Sequence, residues 1–225
     1  MSISILNMKK FEDSAKLPWH QIYKSPVLAA KRQSKHVRKL KKIGLLSDGV
    51  GGSLLDVCCG EGEMLDILSK ESFSLLAGVD LAERPPIQGA YYAAATAEKL
   101  PFRGDVFDRV LCAHALHHLA GVRSLESFLE EAWRCLKPGG TLMVIDHYDS
   151  AQLRFVFWML RSAAARLLPW TRAFRQQLLA EHQELYYYLD HWKEIQGMLR
   201  KNRFQEMSYQ QDAFFFYLTA RKGLS

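Results

Sequence analysis

The chain has 225 residues, a net charge of +6, and 48% hydrophobic against 24% charged residues, a balance that supports one buried core and argues against disorder. Its four cysteines, Cys58, Cys59, Cys112 and Cys135, have no C-x-x-C spacing, so a reduced, cytoplasmic chain without a metal centre is expected. No segment reaches about 18 apolar residues, and the N-terminus meets charges before building the apolar stretch of a signal, which excludes a bilayer-spanning helix and secretion by the usual route.

The charge is uneven. Residues 1–50 hold 11 Lys/Arg against 3 Asp/Glu, residues 51–150 hold 8 against 15, and residues 151–225 hold 11 against 6. Basic flanks of this kind face solvent, nucleic acid, an anionic lipid surface or an acidic substrate. Residues 1–50 read as an N-terminal helical arm. Within it, 26–46 carries Val27, Leu28, Val37, Leu40, Ile43 and Leu46 among many cations, one apolar helical stripe with a basic opposite face.

From residue 51 the pattern alternates. A strand at 53–58 leads into a helix at about 62–70, and further strands follow at 74–80, 90–95 and 107–113. A helix over 123–136 precedes a fifth strand at 141–148, with Pro138 stopping the helix and Gly139-Gly140 reversing the chain. Near-continuous apolar strands separated by helices predict a doubly wound α/β sheet covered on both faces, with ligands outside the carboxyl ends of its strands. One crossover is defective, because Pro85-Pro86 rules out a full helix between the second and third strands. Residues 151–200 are expected to be helical, broken at Pro169, and residues 203–222 to form two strands meeting near Gln211-Asp212.

The chemistry concentrates in "LLDVCCGEGEML", residues 54–65, where Gly60 and Gly62 separate strand from helix. Bare main chain followed by a helix N-terminus suits an anion-bearing, nucleotide-like ligand. Asp80 stands 18 residues beyond Gly62 at the end of the second strand, about the separation at which a carboxylate reaches ribose hydroxyls. A dinucleotide fingerprint wants a small third residue where this chain has Leu65, and no phosphate-loop motif is present.

Four blocks in order, "LLDVCCGEG", "GVDLAE", "AEKLPFRGDVFDRVLCAHALHHL" and "CLKPGGTLMVID", resemble the class I S-adenosylmethionine-dependent methyltransferases over roughly residues 53–148. The resemblance implies a seven-stranded sheet, mostly parallel with one antiparallel C-terminal strand. It implies that Asp56 and the Cys58, Gly60 and Gly62 backbone hold the amino acid end of the cofactor S-adenosylmethionine. Asp80, with Leu81 after it, would hold the ribose, Thr96, Ala97 and Glu98 the adenine edge, and Ala113 would lie beside the sulfonium. Cys58 departs from a usual glycine, and Thr96 from a frequent aspartate.

Methyl transfer gains much of its rate from alignment of donor and acceptor. Where the acceptor must lose a proton a histidine base serves, and His114, His117 and His147 are the candidates, His114 first because it stands nearest a strand's carboxyl end. A structural role is expected for at least one of His117 and His118, and Asp146 and Tyr148 flank His147 at the mouth. Residues 51–225 thus read as a methyltransferase domain, with 151–200 as a helical lid whose aromatic residues cover a small hydrophobic or aromatic acceptor. Two other readings are an RNA methyltransferase that uses the basic flanks and a noncatalytic scaffold that keeps the fold. Peripheral contact with an anionic leaflet is a further expectation, and oligomeric state is not legible.

Overall fold

A computed structural model describes residues 26–47, 51–82, 87–119, 121–161, 184–201 and 203–224. Helix α1 (Pro26–Lys42) precedes β1 (Gly52–Val57), α2 (Glu63–Leu68), β2 (Phe73–Asp80), β3 (Tyr91–Ala94) and β4 (Phe107–Ala113). A 3₁₀ turn (Leu116–Leu119), α3 (Val122–Cys135), β5 (Leu136–His147) and α4 (Ala151–Arg161) follow. Residues 184–190 are helical, and α5 (Trp192–Lys201), β6 (Gln205–Gln211) and β7 (Phe215–Arg221) close the chain. The expected break at Pro169 lies outside the described residues.

The strands form one sheet of order β3-β2-β1-β4-β5-β7-β6. The first five are mutually parallel, and β7 runs antiparallel to β5, with Ile145 opposite Tyr217. β6 returns antiparallel beside β7. This is the seven-stranded arrangement expected from sequence. β4 is the central strand with β1 beside it, and the strand order reverses between β1 and β4, the switch point at which such sheets hold ligands.

Both faces of the sheet are covered, which is why its strands lack polar alternation. On one face Leu55, Val57, Val110 and Val144 pack with Phe128 of α3, Tyr188, and Trp192 of α5. On the other, Leu54, Leu111, Met143 and Ile145 pack with Leu40 of α1, with Ile43 just after it, and with Leu65 and Leu68 of α2. At about 25 cal/mol per Å² of apolar surface, such side chains contribute roughly 1.5–3 kcal/mol each on full burial. α2 lies close on β2, since a Cβ on Gly78 would strike Leu65 Cδ1 and come within 2.9 Å of Cys59 Sγ.

Two boundaries differ from expectation. α1 stops at Lys42, and Gly44, at φ 83°, turns the chain so that Ile43 and Leu45 are buried in the turn after the helix. β5 begins at Leu136, so Pro138, Gly139 and Gly140 are part of the strand rather than a reversal before it. The helix has already ended at Leu136, whose backbone is extended at φ −71° and ψ 138°. The Lys222 ammonium, buried and 2.7 Å from Asp105, donates to the Leu136 carbonyl at 2.6 Å. A register shift in the β4–β5 ladder takes up the extra residues. No helix is present in the described part of the β2–β3 crossover, where Ile87 and Ala90 pack against the second face. Among the described residues no helix is long and apolar enough to cross a membrane.

Candidate active site at the carboxyl ends of the strands

β1 ends in a bend that places main chain, not side chains, at the sheet's rim. Cys58, Gly60 and Gly62 have φ of 57°, 53° and 74°, left-handed values that glycine adopts freely and other residues rarely. Cys58 accepts the cost because its half-buried side chain packs against the first core face; burial, with Asp80 and Asp56 nearby, drives its thiol pKa far up. The bend is tied to β2 by the Cys59 N–H donating to the Val79 carbonyl at 3.0 Å. The Gly60 N–H donates to Asp80 Oδ2 at 2.7 Å, and the Ala82 N–H to Asp80 Oδ1 at 3.3 Å. A Cβ on Gly60 would meet no atom within 4 Å. The bend is therefore open to a ligand, with a carboxylate beside it.

The other predicted cofactor residues lie along the same rim. Asp56 is buried at the end of β1, Leu81 is exposed after β2, and Ala113 is half-buried at the end of β4. Beyond β3, Thr96 and Glu98 face solvent, whereas Ala97 is buried in the first core cluster. An open glycine bend, an acidic strand end and a polar turn from three adjacent strands fit the nucleoside and amino acid ends of S-adenosylmethionine.

The histidines divide into two sets. His117 is buried on the first face, where its backbone N–H donates to Asp146 Oδ2 at 3.1 Å and its Nδ1 lies 3.0 Å from Oδ1. His147 donates its own N–H to Asp146 Oδ1 at 2.7 Å. His118 bonds Glu184 at 2.8 Å, linking the 3₁₀ turn to helical residues 184–190. His114 and His147 lie on the second face. His114, strained at φ 58°, has its ring 6.2 Å from His147 and 5.1 Å from Phe215.

Residues outside the recognised motifs complete this second set, and all come from α1. Arg32 and His36 contact Glu63 at the start of α2, at 2.6 and 3.1 Å. Lys39 Nζ lies 2.8 Å from His114 Nε2 and 3.6 Å over the Phe215 ring. Lys42 pairs with Asp212 in the β6–β7 turn at 3.2 Å. α1 thus crosses the mouth of the sheet from the glycine bend to the C-terminal hairpin. Most lysines of α1 face solvent as expected, and Lys39 is the exception. Its long aliphatic stem reaches inward, whereas His36, at i−4 to Leu40 and i−7 to Ile43, already carried the spacing of the buried stripe.

Burial governs the electrostatics. It pushes the Lys39 ammonium down to about 7, against the opposing pull of Asp146. It holds His114 well below its ordinary range, helped by Lys39, and lowers His147 to about 4. Both imidazoles are therefore neutral in the fold at pH values where the unfolded chain, with a histidine pKa of roughly 6.5, binds protons. Since the unfolded state then holds more protons, stability falls as the pH drops from about 6.5 to about 4. Thermal midpoints measured across that window should decline with falling pH, and His147→Gln should make the decline shallower; an equal slope in the variant would contradict the neutral assignment.

Comparison with known proteins agrees with the geometry. Residues 55–144 match the family model of a methyltransferase domain. A demethylmenaquinone methyltransferase of Symbiobacterium thermophilum is 28% identical over 181 residues, 71% of each chain. A probable tRNA methyltransferase 9B of Mus musculus is 28% identical over 158 residues, 65% of this chain and 32% of its own. An uncharacterised methyltransferase of Synechocystis sp. is 31% identical over 114 residues, and the chain spans about half of it, 52%. Among solved structures, a Haemonchus contortus phosphoethanolamine N-methyltransferase in complex with S-adenosylhomocysteine superposes with a TM-score of 0.57 at 15% identity, covering 84% of this chain and 52% of that one.

Proposed function

We propose, from the premise that this chain belongs to the class I S-adenosylmethionine-dependent methyltransferases, that it methylates a small, fairly hydrophobic or aromatic acceptor. The observation that carries the reading is the 2.7 Å bond between the Gly60 N–H and Asp80, which brings the open bend and the acidic strand end to one rim. Asp80 would hold the ribose hydroxyls, the β1–α2 backbone and Asp56 the amino acid end, and Thr96, Ala97 and Glu98 the adenine edge. When bound, the cofactor supplies an electrophilic methyl group on a sulfonium. The chain's own contribution is to bind, to align and to exclude water.

Of the three predicted catalytic histidines, His114 is the one we place against the acceptor. His117 is occupied inside the fold by Asp146, and His147 bonds the Phe214 carbonyl through Nδ1 at 3.2 Å; both position the mouth. Support for an aromatic acceptor comes from the quinone-pathway relative and from side chains left outward on the elements after β5. Phe155 and Trp158 of α4 are 60% and 68% exposed with rings 5.7 Å apart, and Tyr187 is 47% exposed. Such a surface suits an apolar ligand or a partly inserted lipid face.

RNA as acceptor draws on the tRNA methyltransferase relative and on the cations of α1. Arg32, Lys39 and Lys42 are engaged within the protein, which leaves Lys31, Lys35, Arg38 and Lys41 exposed, too few for a broad phosphate track. Incubation with methyl-labelled S-adenosylmethionine and a cell extract separates the readings. Label in an organic-extractable product is expected; label confined to RNA would overturn the small acceptor, and absence of both label and S-adenosylhomocysteine binding would favour the noncatalytic scaffold.

A further inference from the structure

We propose that α1 completes the acceptor site, with His36, Lys39 and His114 forming a nitrogen-lined subsite that binds an acidic hydroxyl, phenolic or enolic, as its oxyanion. The inference rests on the methyltransferase reading and narrows its acceptor to molecules that ionise.

Three observations converge. Lys39 lies in apolar contact with Phe215 and, among the described residues, has no carboxylate at ion-pair distance. A partly desolvated ammonium of this kind is costly until an anion joins it. His36 is buried, and its Nδ1 has no hydrogen-bond partner. Orphaned buried nitrogens are uncommon in folded proteins and mark a missing partner. Its Nε2 lies 3.3 Å from Arg32 Nε, a donor, and 3.1 Å from Glu63 Oε2, an acceptor, so these neighbours fix no tautomer; the subsite requires the one with the ring proton on Nδ1, which offers a donor to the ligand. Finally, His36 and Lys39 are three apart on α1 and so share a face, with the His36 ring 6.0 Å from that of His114, whose Nε2 bonds Lys39.

The proton balance is simple. In its neutral form the Lys39 amine takes the proton of the acceptor's O–H, leaving an ammonium and an oxyanion side by side, and the oxyanion is the nucleophile. Groups facing Lys39 set the balance between the two forms. Arg32, Lys35 and His36 lie on its own helix, with Arg32 and Lys35 favouring loss of its proton. Asp146 from β5 and Asp212 from the β6–β7 turn favour its retention, and the neutral His114 and His147 close the ring. Glu63 of α2 is paired with Arg32 at 2.6 Å.

The test uses 4-nitrophenol, whose phenolate absorbs visible light and whose neutral form does not. At a pH where the free compound is largely protonated, adding the full-length protein should raise the phenolate band. Lys39→Met and His36→Phe, each checked for folding by circular dichroism, should weaken the effect at least tenfold. Bound 4-nitrophenol that stays neutral, no binding, or an unchanged phenolate signal in folded Lys39→Met would each overturn the proposal. The wild-type spectrum alone decides if the variants do not fold. Calorimetry with S-adenosylhomocysteine on the same protein separates the two readings. Cofactor binding without phenolate stabilisation sinks only the subsite, whereas no cofactor binding sinks the methyltransferase reading itself.

Discussion

Asp80→Ala is expected to weaken S-adenosylhomocysteine binding about 100-fold, with an unfolding free energy lowered by only about 1 kcal/mol. The affinity loss has two sources. Two ribose hydroxyls bonded to a carboxylate are worth roughly 1.5–3 kcal/mol each, and part of that is lost already in the free protein's looser bend. The bend loosens because Asp80 is also its internal anchor, accepting the Gly60 and Ala82 N–H groups. Stability changes little because Asp80 is half-buried at the rim, where water replaces the lost acceptor. Asp80→Asn keeps one acceptor oxygen and the shape, so a smaller loss of about tenfold is expected. Calorimetric titration of both variants checks the order. Wild-type affinity in Asp80→Ala would remove the ribose assignment and, with it, the placement of the cofactor along β1 and β2.

Much of the fold was legible in sequence, because a sheet buried on both faces writes itself as short apolar runs. β4, Phe107–Ala113, coincides with its predicted span, and the C-terminal hairpin turns where predicted. The glycine bend and Asp80 were equally plain, since Gly60 and Gly62 mark a bare strand-to-helix turn and Asp80 stands at the end of the next strand. What could not be read was decided by tertiary contact. Cys58 and His114 take left-handed backbones that their residue types disfavour. Only the ends of neighbouring strands, fixed by the Cys59-to-Val79 and His114-to-Ile145 backbone bonds, impose them. Lys39 stands at the spacing of the apolar stripe, three from His36 and four from Ile43, but its residue type marks it as a solvated charge, and only the docking of α1 over β4 and β7 makes it a neighbour of His114. The burial of Asp146 was partly legible, because it shares the inward parity of Leu142 and Val144 in an apolar strand. Its partner, 29 residues away in the 3₁₀ turn, was not.

That pair carries the largest expected stability effect. Asp146 is fully buried, and its two oxygens accept from the His117 N–H, the His147 N–H and the His117 ring. Burial alone would raise its pKa, but His117 beside it, their hydrogen bond, and His147 and His114 outweigh that and hold the carboxyl well below its ordinary range. Asp146→Ala strands three donors in a dry site, so a loss of about 3–5 kcal/mol is expected in urea unfolding, enough to leave a domain of ordinary stability only marginally folded. Asp146→Asn is expected to lose nearly as much, since its amide nitrogen would face donors rather than acceptors. The sign with pH follows from the depressed pKa. The contribution is complete above the unfolded-state value of about 4 and disappears as the pH falls toward the lower folded value, below the window in which His147 acts. A double-mutant cycle with His117→Leu isolates the coupling, because the two losses overlap if one network links them. Additive losses, or a deficit under about 1 kcal/mol in Asp146→Ala, would show that the carboxylate is not the element that locks the 3₁₀ turn to β5.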